Sequence, residues 1–260
     1  MLHPDRIEAT GACSFDMTPS PTPLFTLSIV SHGQSQLIAP LLDDLRRLAL
    51  PDMEALITVN LPEDETPFRD LPFPSRIIRN ATPKGFGANH NEAFAHSRGA
   101  FFVVVNPDIR LPTLNLDELL AVLNDPAIGA VAPVVLNGTG DIEDSVRRFP
   151  TIPMLLRRSL LKQRTPDYQW DQEPIAVDWT AGMFVVFRRE AFEAVQGFDH
   201  RRFFMYFEDV DICLRMKRKG WLVTLQPKVS VVHLAQRASH RSLKHLRWHL
   251  TSALRYFTGL

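Results

Sequence analysis

Four short apolar runs separated by helical spacing decide what this chain can fold into. Leu24–Ser31, Ala55–Asn60, Ser75–Arg79 and Ala100–Asn106 each read as a strand. They lie roughly 25–30 residues apart, the length of a strand–helix–strand unit. Leu37, Ile38, Leu41, Leu42, Leu45 and Leu48 recur at three- and four-residue intervals, which predicts an amphipathic helix over 34–49. Residues 86–98 read as a second helix. Parallel strands need crossovers of this kind, so the pattern implies an α/β fold with a mostly parallel sheet flanked by helices. The run Ala-Phe-Phe-Val-Val-Val-Asn at 100–106 is apolar on both faces and belongs at the sheet's centre.

The ends and the second half read differently. Residues 1–23 lack periodicity and finish in Pro-Ser-Pro-Thr-Pro, which predicts a disordered leader. Beyond residue 113, strands are expected over 128–136, 183–187, 221–225 and 229–233, with helices over 151–163 and 210–219. The expected organisation is one domain over 24–238, with a nucleotide-binding half (24–112) and an acceptor half (113–238) sharing one sheet. A C-terminal helical element, 239–260, follows. In it Leu243, Leu246, Leu250, Ala253, Leu254 and Phe257 recur at helical spacing, with Arg241, Lys244 and Arg247 alongside. Such a face suits a membrane surface, packing on the core, or pairing of two copies.

Composition removes several function classes. The 29 basic and 29 acidic residues balance, so no global field recruits nucleic acid or anionic lipid. Two cysteines, Cys13 and Cys213, are too few for a disulfide scaffold or a Cys-rich zinc site and suit a reducing compartment. No apolar stretch approaches the ~20 residues that span a bilayer, and no signal peptide opens the chain. The expectation is a cytoplasmic protein with at most peripheral membrane contact.

In open α/β sheets ligands sit beyond the carboxyl ends of the strands, so those ends hold the candidate residues. They are Ser31-His32-Gly33, Asn60, Asn80 with the loop Pro83-Lys84-Gly85-Phe86-Gly87, and Asn106-Pro107-Asp108. Asp108, held past a buried strand by Pro107, suits a magnesium or manganese ion, which takes one or two protein carboxylates plus phosphate oxygens. It suits a turn equally well. The Lys84–Gly87 loop admits close backbone approach to a phosphate, or is a plain loop-to-helix turn. Glu208, Asp209 and Asp211 open a predicted helix. There acidic residues are favoured by the macrodipole, and crowding also raises carboxyl pKa values enough to make a base. His233, closing a strand, is either a structural histidine or a ligand.

Four segments, taken in order, resemble one family. They are the strand ending Ser-Ile-Val-Ser-His32, the loop Asn80…Lys84-Gly-Phe-Gly-Ala-Asn89-His-Asn91, the strand end Val-Val-Asn106-Pro-Asp108, and Asp178-Trp-Thr-Ala-Gly182…Gly197-Phe-Asp199…Phe204-Met-Tyr-Phe-Glu-Asp209-Val-Asp211. Over residues 24–240 the chain resembles the family 2 glycosyltransferases of the GT-A (Rossmann-like) fold, and within them a bacterial rhamnosyltransferase-like branch that builds surface polysaccharide. The resemblance implies an inverting transfer of a sugar from a nucleotide diphosphate to a glycan or lipid-linked acceptor, with Mg²⁺ or Mn²⁺. L-rhamnose from a dTDP donor is its best analogue.

Residue by residue, the resemblance makes Asp108 the metal carboxylate and Asp209 the general base, with Glu208 and Asp211 beside it. His233 matches a histidine that reaches metal or diphosphate. Ser31, His32, Asn60, Lys84, Gly85, Asn89 and Asn106 fall where the family contacts the nucleotide sugar, and Trp179–Gly182 where it lines the sugar and acceptor. Two positions depart from the pattern: Asn60 replaces an aspartate after the second strand, and Asn106 replaces the first aspartate of an Asp-any-Asp element. A sugar nucleotidyltransferase needs a glycine-rich loop with arginine after the first strand, which Ser31-His32-Gly33-Gln34 does not supply. A sugar-nucleotide-binding subunit without catalysis is opposed by Asp108, Asp209 and His233 occurring together.

Overall fold

A computed structural model describes residues 22–161, 165–234 and 243–259. Residues 1–21 of the expected leader, with Cys13, lie outside the described residues. So do 162–163 of the helix expected over 151–163, residues 239–242 with Arg241, and the side chains of Leu243 and Lys244.

Strands β1 (Phe25–Ser31), β2 (Met53–Val59), β3 (Ser75–Arg79) and β4 (Phe101–Val105) run parallel in the order β3-β2-β1-β4. Helix α1 (Ser35–Leu48) links β1 to β2, and α2 (Phe86–His96) lies between β3 and β4. The rest of the chain supplies β5 (Ile109–Arg110), α3 (Leu116–Leu123), β6 (Ile128–Asn137), β7 (Val146–Arg147), α4 (Ile152–Leu161), β8 (Ile175–Val177) and β9 (Trp179–Thr180). Then follow β10 (Phe184–Arg188), α5 (Arg189–Ala194), α6 (Glu208–Arg218), β11 (Leu222–His233) and α7 (Leu243–Thr258). Both halves share one mixed sheet, ordered β3-β2-β1-β4-β10-β6-β11-β5 with β8 also on β11; β7 and β9 pair separately.

The period-two alternation of the strands sorts side chains onto two faces. On β4, Val103 and Val105 join the core under α1 and α3, while Phe102 and Val104 join the core under α2, α5 and α6. The strand expected at the sheet's centre is there, buried on both faces.

The structure departs from the sequence reading in three places. The two strands expected over 221–225 and 229–233 are one strand, β11, with a register shift between Gln226 and Ser230. Pro227 stands in that interval and has no N–H to give the ladder. Helix α3 was not anticipated, although Asn115 caps it by accepting from the N–H groups of Asp117 and Glu118. The leucines of the apolar seam read into the C-terminal helix do not face the core, for Leu246, Leu250 and Leu254 are exposed, and of that seam Ala253 packs inward. Packing falls to the opposite side, where Ser252 Oγ donates to the Met205 carbonyl at 2.8 Å and Ala253 and Tyr256 meet Phe203, Phe207 and Val210. Among the described residues no helix is long and apolar enough to cross a membrane.

Candidate active site

One edge of the sheet collects the candidate residues because of strand direction. β1, β2, β3 and β4 all end there. β10 is antiparallel to β4 and to β6, and β6 is parallel to β11, so β6 and β11 end at that edge too while β10 begins there. The chain leaves β1 towards β2 on one side and β4 on the other, which opens a crevice at their carboxyl ends. Asp108 and Asp209 are tied to the same point of this edge by a short chain of contacts. The Asn106 N–H donates to the Met183 carbonyl at 2.8 Å, and the neighbouring Gly182 N–H donates to Asp209 Oδ2 at 3.4 Å.

At one end, β5 pairs antiparallel with the end of β11, setting Ile109 against His233. That register brings His233 Nε2 to 3.2 Å from Asp108 Oδ2, while His233 Nδ1 lies 2.9 Å from Glu143 Oε2. Burial pulls the imidazole's pKa down, but the hydrogen bonds to Asp108 and Glu143 outweigh it and raise it to about 9. The other Asp108 oxygen, Oδ1, is buried without a hydrogen-bond partner. The orphaned Asp108 oxygen fits a magnesium or manganese ion, and His233 could join it as a ligand only on giving up its proton and its contact with Asp108. Among the described residues no group of three His, Cys, Asp or Glu is placed to hold a metal ion.

At the other end, α6 opens with Glu208 and Asp209 after a strained turn. Tyr206 and Phe207 both hold left-handed backbone, with φ of 69° and 67°. Each such residue costs about 1–3 kcal/mol and persists only where surrounding contacts fix it. Here the Phe86 N–H donates to the Phe204 carbonyl at 3.1 Å, Tyr206 Oη bonds His245 Nδ1 at 2.8 Å, and Phe207 stacks against His249 and Tyr256. Burial pushes the Asp209 carboxyl up to about 6, against the N–H groups of Val210 and Gly182 and the charge of Arg147, which hold it down. Burial first, and then the Asp209 carboxylate, drive Glu208 well above the usual carboxyl range, and its Oε2 has no partner. The pair therefore carries one proton on Glu208 and one negative charge on Asp209, where the donors are.

Other candidates have partners within the protein itself. Asp211 does not face Asp209: Arg215 Nε holds it at 2.7 Å and Arg202 at 3.5 Å, so it braces α6. Lys84 pairs with Glu92 of α2 rather than standing free. Gly85 is required by protein contact, since a Cβ there would sit 2.2 Å from the Phe204 carbonyl oxygen. Gly182 packs likewise, its absent Cβ 2.9 Å from the Phe86 ring. Trp179 Nε1 donates to the Arg148 carbonyl at 2.9 Å.

Asn60 has a structural reason for being an amide. Its Nδ2 donates to the Lys84 carbonyl at 2.9 Å and meets His32 Nδ1 at 2.8 Å, while Oδ1 accepts from the Lys84 N–H at 2.8 Å and from Asn80 at 2.7 Å. Asn80 also donates to Asn89 at 2.6 Å. An aspartate cannot donate to the Lys84 carbonyl. We expect Asn60→Asp to lower stability by about 1–3 kcal/mol in urea unfolding, the scale of a buried polar group left unpaired; an unchanged midpoint would show that the clamp carries no energy.

Sequence reasoning missed Glu63, Glu143, Asp144 and Arg147. Glu63 fastens the loop after β1, accepting from Ser31 Oγ at 2.8 Å, Gly33 N–H at 3.2 Å and Gln34 N–H at 2.8 Å. Asp144 pairs with Arg147 at 2.6 Å, and Arg147 Nε is buried without a partner. A Glu-Asp pair and an arginine just past a buried strand were the available signal. They lie in a loop, where no periodicity marks them.

A family model described as glycosyltransferase like family 2 matches residues 21–251. Rhamnosyltransferase WbbL of Escherichia coli (strain K12) is 30% identical over 247 residues, covering 88% of this chain and 90% of its own. The N-acetylglucosaminyl-diphospho-decaprenol L-rhamnosyltransferase of Mycobacterium tuberculosis is 32% identical over 158 residues, 56% of this chain; the match spans about half, 51%, of that protein's length. Among solved structures, the mannosyltransferase PcManGT from Pyrobaculum calidifontis, in complex with GDP-Man and Mn²⁺, superposes with a TM-score of 0.60 at 21% identity over 91% of this chain and 66% of that one. S. aureus TarS gives 0.58 at 13% identity, over 90% of this chain and 40% of that one. The fold is therefore the GT-A fold.

Proposed function

This chain belongs to the glycosyltransferase like family 2, and from that premise we propose that it is an inverting glycosyltransferase. It moves a hexose from a nucleotide diphosphate to a hydroxyl of a glycan or lipid-linked glycan acceptor. L-rhamnose is the favoured donor sugar, because the curated relatives above are named as rhamnosyltransferases. The observation that carries the reading is the joining of Asp108 and Asp209 through Asn106, Met183 and Gly182 at one sheet edge.

Asp209 takes the proton of the acceptor hydroxyl as that oxygen bonds to the anomeric carbon. The bond from that carbon to the phosphate oxygen breaks, and its electron pair leaves with the nucleoside diphosphate. Glu208, protonated, keeps the negative charge on Asp209. Asp108 would hold the cation, which would neutralise charge growing on the diphosphate; His233, protonated between Asp108 and Glu143, adds positive charge beside it and would become a ligand only on losing its proton. Arg147, with an unpaired buried Nε, is a second source of positive charge at this edge. Donor and acceptor meet at the cytoplasmic face of a membrane when the acceptor is lipid-linked.

The test is transfer of labelled sugar from a panel of nucleotide sugars, dTDP-rhamnose first, to prenyl-diphosphate-linked N-acetylglucosamine with Mg²⁺ or Mn²⁺. Absence of both transfer and donor binding across the panel would remove the proposal. The reactive form of Asp209 is ionised. Its carboxyl lies at about 6, so log kcat/KM should rise with unit slope below about pH 6 and level above it. A profile flat through that range would assign the proton transfer to another group.

A further inference from the structure

A cleft of about 310 Å³ lies beside the candidate site, lined by Tyr168, Gln169 and Trp170 on one segment and Ile142, Glu143 and Asp144 on another. We propose that this cleft is the subsite for an uncharged sugar ring of the acceptor; the proposal rests on the transferase reading above. Its size is at the lower end for small-molecule pockets and suits one or two sugar rings.

The lining suits a sugar ring by its chemistry. A pyranose offers C–H faces to aromatic rings and hydroxyls to carboxylates and amides, which is what Tyr168, Trp170, Gln169, Glu143 and Asp144 present. Asp144 Oδ1 is buried and has no hydrogen-bond partner, leaving an acceptor for a hydroxyl.

The walls are fixed before anything binds. Tyr168 Oη accepts from the Asp178 N–H at 2.9 Å, and the Arg148 guanidinium sits 5.5 Å over its ring. Trp170 packs into the core under α6. The cleft is also wired to both ends of the catalytic edge. Glu143 holds His233, which sits on Asp108, and Asp144 holds Arg147, whose charge acts on Asp209. A sugar seated here touches residues two links away from each catalytic-edge carboxylate.

Saturation-transfer NMR on the full chain, with the methyl glycosides of N-acetylglucosamine, glucose, galactose and rhamnose, tests this without turnover. At least one glycoside should bind, and it should stay bound when dTDP or UDP with Mn²⁺ is added in excess. Gln169→Ala and Trp170→Ala should each weaken binding by about fivefold or more, the loss of one good contact. Gln169 is exposed, so its variant keeps the fold even if Trp170→Ala does not. Binding of no glycoside, displacement by the nucleotide, or unaltered binding in Gln169→Ala would overturn the assignment. Thermal shift with nucleotide sugars, run on the same samples, reports donor binding separately. Failure there counts against the transferase reading and leaves the cleft result readable.

Discussion

Asp209→Asn should cut turnover by about 10²-fold or more while leaving the donor bound with near-normal affinity. The expectation follows from what the substitution removes. Asparagine keeps the size of the side chain and its one oxygen still accepts from the Val210 N–H, giving up only the long 3.4 Å contact with the Gly182 N–H, so the strained turn and the start of α6 stay in place. It cannot take a proton, and general-base assistance is worth about 10²–10⁴-fold. Asp209 is not among the residues that would hold the cation, so donor affinity is the built-in control. Steady-state transfer and donor titration on the same preparation separate the two outcomes. Near-normal turnover would move the base elsewhere, and Glu208 is a poor substitute because burial and its neighbour keep it protonated.

Asp108→Ala should do the reverse, removing metal-dependent donor binding. The carboxylate sits on a rigid turn between β4 and β5, with one oxygen on His233 and the other without a partner. Loss of a residue that merely supports a metal ligand typically costs 10–100-fold in metal affinity, so loss of a ligand should cost about that much or more. Calorimetric titration of the nucleotide sugar with Mn²⁺ should show the fall, and the same titration with a chelator should show little difference between variant and wild type. Equal loss in both conditions would mean that Asp108 holds the loop and not a cation.

Much of the frame was legible because it rests on periodicity. The strands β1 to β4 and helices α1 and α2 follow from apolar spacing, and the position of β4 follows from its being apolar on both faces. The short strands β5, β7, β8 and β9 were not legible, since two or three residues carry no period. Yet β5 sets Asp108 against His233, and β7 carries Arg147. The site residues were legible by type and not by partner. Asn60, Lys84, Gly85 and Asp211 were assigned to ligand or catalysis, and each also has a partner within the protein: Asn60 and Gly85 across more than 20 residues, Lys84 eight residues on at Glu92, and Asp211 one turn along its own helix. Of the uses the sequence left open for the C-terminal helix, packing on the core does not run through its leucines. Its leucines form the regular stripe, but histidine, serine and aromatic side chains do the packing, because the strained Tyr206–Phe207 turn offers carbonyls and rings to meet them.

The most direct test of the central claim is an anomalous difference map from crystals grown with Mn²⁺ and a nucleoside diphosphate. The account predicts a manganese peak at the Asp108 carboxylate, with the diphosphate lying along the same edge that carries Gly182 and Asp209. A peak at that carboxylate with the diphosphate on another face, or a metal bound away from Asp108, would contradict it.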